Sequence, residues 1–114
     1  MYDITVQQKV KFLGFKETRQ QAIDRIRAGR IYHVPREYDK NEYAQGRLSD
    51  NDVIAMLQCC RGNRYEALPH HSILGLEVHI FKPVGKYDGY YIKLYFLEPD
   101  VCFISVHRSV HKAG

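Results

Sequence analysis

The chain has 114 residues, 45% hydrophobic and 26% charged, a balance that excludes intrinsic disorder and predicts a single folded domain over residues 1–114. Lys and Arg exceed Asp and Glu by 17 to 13, a formal net charge of +4, which favours polyanionic partners such as RNA or DNA. Three cysteines, Cys59, Cys60 and Cys102, make an odd set with an adjacent pair, so disulfides are not expected and a reducing cytoplasm fits.

The opening MYDITVQQKVKFLGF lacks a charged region leading into an apolar run and a cleavage site, and no apolar stretch reaches about 18 residues. A soluble, cytoplasmic chain with no membrane partner is expected. Residues 2–16 mix β-branched, aromatic and Lys residues without period and read as an extended arm or short strand. Residues 18–28, TRQQAIDRIRA, read as a helix with Thr18 as N-cap, Gln21 completing a capping box and Gly29 as the left-handed stop. RIYHVP reads as a short strand ended by Pro35, and residues 36–46 as a polar loop.

Residues 49–60, SDNDVIAMLQCC, form the second expected helix. Ser49 and Asp52 repeat the capping pattern, and Val53, Ile54, Met56, Leu57 and Cys60 supply a wide apolar stripe. From residue 64 the period shifts to two. Strands are expected over 64–68, 76–82, 89–97 and 101–107, an antiparallel meander following two helices that pack on one of its faces, an α+β layout.

Alternation sorts this sheet into faces. Leu76, Val78, Ile80, Tyr90, Ile92, Leu94, Phe96, Cys102, Ile104 and Val106 are expected under the helices. The opposite parity carries Glu77, His79, Phe81, Tyr91, Lys93, Tyr95, Phe103, Ser105 and His107. Two readings of that second face stay open: an ordinary solvated sheet face, or a basic surface with stackable rings that takes single-stranded nucleic acid. The same residue types also suit RNA cleavage, which needs a base for the ribose 2′-OH, cations for the phosphorane charge and an acid for the leaving 5′ oxygen.

No metal or other cofactor is expected. His70 and His71 are adjacent, and Cys59-Cys60 lack a ligand-spaced partner. His70, His71 and His111 read as loop or tail residues, with use by a binding loop as the alternative, and His33 as structural. The cysteines at apolar positions are not expected to be nucleophiles.

In order and spacing, AGRIYHVPREY, LSDNDV, FKPVGKYDGYYIKLYF and VCFISVH resemble the MqsR-type (motility quorum-sensing regulator) toxins, members of the RelE-like ribonuclease superfamily. The likeness runs from about residue 20 to residue 108. It implies a RelE-like fold and a metal-independent endoribonuclease (mRNA interferase), the toxin of a toxin–antitoxin pair. Its implied partners are mRNA, a cognate antitoxin and, for some such enzymes, the ribosome.

The family's catalytic tyrosine falls on Tyr91 and its basic residue in the last strand on His107, followed by Arg108. Where the family has a helix lysine this chain has Ala55, and near the family's glutamine it has Val78. The reading that combines residues and resemblance assigns proton transfers to His79 and His107, assisted by Tyr91. Lys93, Arg108, Lys82 and Tyr95 are assigned to the substrate. The runner-up is a non-catalytic RNA- or partner-binding module, and a third reading is an enzyme acting on small molecules.

Overall fold

A computed structural model describes residues 14–108; most of the expected N-terminal arm, and His111, lie outside them. Helix α1 runs Phe15–Arg27, starting before Thr18. Its N-cap is Gly14, whose N–H donates to the Glu17 carboxylate at 3.4 Å. Glycine has no side chain to return the bond, so only half of a capping box forms. Thr18 lies one turn inside, fully buried, with its N–H on the Gly14 carbonyl. The helix stops where expected: Gly29 takes φ +75°, and the Gly29 and Arg30 N–H groups return to Ile26 and Arg25, the paired bonds of a Schellman ending.

Helix α2, Asp50–Gln58, begins on a complete capping box. Asp52 N–H donates to Ser49 Oγ at 3.1 Å, and Ser49 N–H donates to Asp52 Oδ2 at 2.9 Å. Its Val53, Met56 and Leu57 are fully buried against Ala22, Ile23 and Ile26 of α1. Truncating a leucine so placed costs about 2–5 kcal/mol, because neighbours only partly refill the cavity.

The strands are β1 (Ile31–His33), β2 (Tyr65–Pro69), β3 (Glu77–Phe81), β4 (Tyr90–Leu97) and β5 (Asp100–Arg108). Single-turn 3₁₀ segments at Gly62–Arg64 and Gly85–Tyr87 lead into β2 and β4, and a kinked one covers Pro35–Lys40. The sheet order is β1-β5-β4-β3-β2. Strands β2 to β5 form the expected antiparallel meander, but the sheet is mixed: β1 lies parallel to β5, with Ile31 opposite Val101 and His33 opposite Phe103. The expectation of a purely antiparallel sheet is corrected here. The parallel ladder is closed by Val101 N–H on the Arg30 carbonyl and Val34 N–H on the Phe103 carbonyl, each 2.9 Å.

The outer edge of β5 is covered along its length. Beyond β1, Asn41 bridges to Val106 and Glu42 N–H donates to the Val106 carbonyl at 2.7 Å. Asn41 is fully buried; its amide donates to His33 Nδ1 at 3.0 Å and accepts from Ala44 N–H at 2.9 Å. Tyr43 packs edge-on to both His33 and Phe103 and donates to Asp50 Oδ1 at 2.7 Å. Burial holds the His33 imidazole below the usual pKa, partly offset by Asp50. His33 is therefore a structural histidine, tying this loop to the sheet and to α2.

Both helices pack on one sheet face, over Phe81, Ile92, Leu94, Val101, Phe103 and Val106. The expected parity holds along β4 and fails on its neighbours. On β3 it is inverted: Phe81 and His79 point to the helices, Val78 and Ile80 away. On β5 it changes midway, because Lys93 pairs with Ser105 while Leu94 pairs with Phe103, leaving Ile104 as the extra residue of a β-bulge. Val106 stays in the core, but Val101 and Phe103 replace Cys102 and Ile104 there.

Candidate functional site

The face away from the helices is built in cross-strand rows, whose opposed Cβ atoms lie about 4.5–5.5 Å apart. At the β1 end of the meander, Tyr32, Cys102 and Tyr95 stand side by side, followed by Val78 and Leu68. The middle row is Ser105, Lys93, Ile80 and Glu66. At the far end His107 pairs with Tyr91. Lys82 and Arg64 continue that row beyond β3, joined by Lys82 N–H on the Arg64 carbonyl at 3.1 Å, and line one depression with Tyr91.

Tyr91 and His107 are thus direct neighbours, their ring centroids 5.5 Å apart and inclined by 33°. Burial, and secondarily the Glu66 carboxylate, pushes the Tyr91 phenol above its ordinary pKa, so it stays protonated at neutral pH. A neutral phenol beside an imidazole offers a proton donor next to a group that serves as acid or base. Arg25–Glu98 is the one ion pair among the described residues. Lys93, Lys82 and Arg64 form no ion pair among the described residues, while Asp88 lines the depression that holds Arg64 and Lys82 and Glu66 borders it.

The other assigned residues are placed differently. His79 is buried on the helix side, 5% exposed. Its Nδ1 lies 2.8 Å from the Tyr65 hydroxyl, which is also 3.5 Å from Thr18 Oγ1. Burial lowers its pKa to about 4, keeping the ring neutral. With the sheet between them, His79 and His107 are not brought together on one face, against the expectation that the two share the proton transfers.

Arg108, paired with Tyr90, sits at the strand end with its guanidinium 5.2 Å from the Tyr90 ring centroid, on the parity opposite Lys93. It flanks the face rather than lying on it. Tyr95 is only 9% exposed and belongs to a small apolar cluster with Val78 and Cys102, joined by Val34, Leu76 and Ile104. Lys93 lies between this cluster and the Tyr91–His107 pair.

Beside Tyr95 a cleft of about 380 Å³ opens between the 70–76 loop and the segment after β1. His70 and His71 line it, loop residues as expected, in a loop that here forms one wall of the cleft. Their signal was the Pro-His-His-Ser run between two strands, a ring pair held at a hairpin tip. Arg36 and Leu68 also line it and carried no signal.

Among the described residues no cluster of His, Cys, Asp or Glu is arranged to hold a metal ion, and no helix is long and apolar enough to cross a membrane. The fold is α+β, with helices on one face of a five-stranded sheet and an opposite face that joins a small apolar cluster around Val78, Tyr95 and Cys102 to Lys93, Tyr91 and His107. Compared with protein-family models, curated proteins and solved structures, the chain matches none.

Proposed function

We propose that the chain is a metal-independent endoribonuclease that cuts mRNA, acting as a RelE-like, MqsR-type toxin. The observation that carries the reading is the Tyr91–His107 pair on the sheet face away from the helices, beside Lys93, Lys82 and Arg64, none of which is ion-paired to a described carboxylate. His107 takes the proton of a ribose 2′-OH as that oxygen attacks the adjacent phosphorus. Tyr91 gives its proton to the departing 5′ oxygen, and Lys93, Lys82 and Arg64 balance the phosphorane charge. The products are a 2′,3′-cyclic phosphate and a free 5′-OH, so the protons balance without water or metal.

On this reading the cell holds the toxin in check with a cognate antitoxin, and its site is the cytoplasm, on free or ribosome-bound mRNA. The test is to incubate the purified chain with a long mRNA in EDTA. Fragments ending in cyclic phosphate support the reading, and RNA left intact at micromolar protein sinks it.

A second reading, a binding module without chemistry, draws on one observation: His79 is withdrawn from the face and sealed against Tyr65, leaving His107 as the strand histidine beside Tyr91. Tight RNA binding with neither cleavage nor growth arrest on induction in a bacterium would favour it.

A further inference from the structure

The cleft beside Tyr95 is walled by an ordered ring stack. His70 Nδ1 accepts the N–H groups of both Ser72 and Ile73 at 3.0 Å, so the ring proton sits on Nε2 and the imidazole is held in one orientation. The loop is closed behind it by His70 N–H on the Leu76 carbonyl at 2.8 Å. His71 stacks parallel on His70, centroids 5.2 Å apart and planes inclined by 4°, while His70 stands edge-on to Tyr95 at 5.1 Å and 90°. Leu68 and Val78 supply an apolar side, and Lys93 and Arg36 supply charge. Glu37 is the one carboxylate among the described residues that line the cleft.

Flat rings beside an apolar wall suit a planar, weakly polar group, and cations at its rim suit an anion attached to that group. A nucleotide has both parts. The position agrees: Tyr95 lies four residues along β4 from Tyr91, about 13 Å of strand, a span that a short stretch of extended single strand bridges. Lys93 stands between the two.

We propose that this cleft is a nucleotide pocket, which stacks the base of one residue of single-stranded RNA against the His70–His71 rings and Tyr95 while Lys93 and Arg36 face its phosphate. The proposal rests on the RNA reading of the neighbouring Tyr91–His107 face and supplies what that face lacks, a platform that holds a base. Stacking on protein rings is worth about 1–3 kcal/mol per base.

The test is an NMR titration of the full chain with cytidine 5′-monophosphate, and separately with ribose 5-phosphate, which keeps the anion and lacks the base. The expected result is movement of the His70, His71 and Tyr95 ring signals, with the nucleotide binding about tenfold or more tighter than the sugar phosphate, the lower part of that stacking range. His71→Ala, which removes an exposed ring, should lose most of that difference. Equal binding of the two probes, or nucleotide shifts confined to Tyr91 and His107, would overturn the pocket. A chain that binds the nucleotide in the cleft yet cuts no RNA keeps the pocket and loses the nuclease reading. A chain that cuts RNA while its cleft ignores the nucleotide does the reverse.

Discussion

His79 and His107 stand on opposite faces of one sheet, the first bonded to Tyr65 under the helices and the second beside Tyr91 on the open side. Substituting them should therefore separate stability from activity. His79→Leu, which removes the 2.8 Å partner of the Tyr65 hydroxyl and leaves it only Thr18 Oγ1 at 3.5 Å, should destabilise by about 1–3 kcal/mol, since a buried group that loses its better partner keeps its desolvation cost. His107→Ala, at a partly exposed strand position, should stay within about 1 kcal/mol of the parent. Thermal melts read by circular dichroism check both.

The same burial makes stability depend on pH. The His79 ring titrates near 4 in the folded chain, against an ordinary value of 6.5. Between those values the unfolded chain binds the extra proton, so stability is full above about pH 6.5 and falls as the solution is acidified toward pH 4, by at most about 3 kcal/mol from this residue. His33, also lowered by burial, acts in the same direction. Urea midpoints at pH 7 and pH 5 should show the loss, and His79→Leu should flatten the slope.

Asn41 is the buried link between the loop and the sheet, donating to His33 and accepting from Ala44. Asn41→Ala leaves both partners unsatisfied, and at about 1–3 kcal/mol for each buried orphan it should rank among the costlier single changes. Amide exchange at Glu42 and Val34, whose N–H groups bond to β5, should speed up selectively. Uniform exchange throughout would mean the loop is held by something else.

If Lys93, Lys82 and Arg64 contact phosphates, RNA binding releases counterions and log K falls with log salt by about 0.7 per contact on a single strand. Lys93→Ala should reduce that slope by one contact. Anisotropy at several salt concentrations, with His107→Ala protein so that the RNA survives, measures it. An unchanged slope would remove Lys93 from the interface.

Much of the fold was legible because its signals are local. The Ser49/Asp52 box, the Gly29 stop and the four strands of the meander each depend on residues close in sequence. The parallel pairing of β1 with β5 was not, because three residues carry no usable period and the partner lies some seventy positions on. Strand faces failed for a related reason. In EVHIF both parities hold large apolar residues, so alternation cannot say which one is covered, and the Ile104 bulge is hidden where Phe103 and Ile104 are interchangeable by hydrophobicity. Alternation placed Tyr91 and His107 on one face, and that holds on β4 and on β5 beyond the bulge; their direct pairing depends on the hairpin register, which alternation does not carry. His79 misled because a histidine hydrogen-bonded inside a core reads in sequence like one facing water.

The most direct measurement is the single-turnover rate of cleavage of a long RNA in EDTA by the parent, Tyr91→Phe, His107→Ala and Glu66→Gln. Loss of a positioned proton donor or acceptor costs about 10²–10⁴ in rate, so Tyr91→Phe and His107→Ala should each fall by that much with their melting curves little changed. Glu66→Gln, which removes a charge near the phenol without removing either reacting group, should change the rate far less. Equal rates for the parent, Tyr91→Phe and His107→Ala would contradict the account, placing the chemistry elsewhere on the chain or outside it.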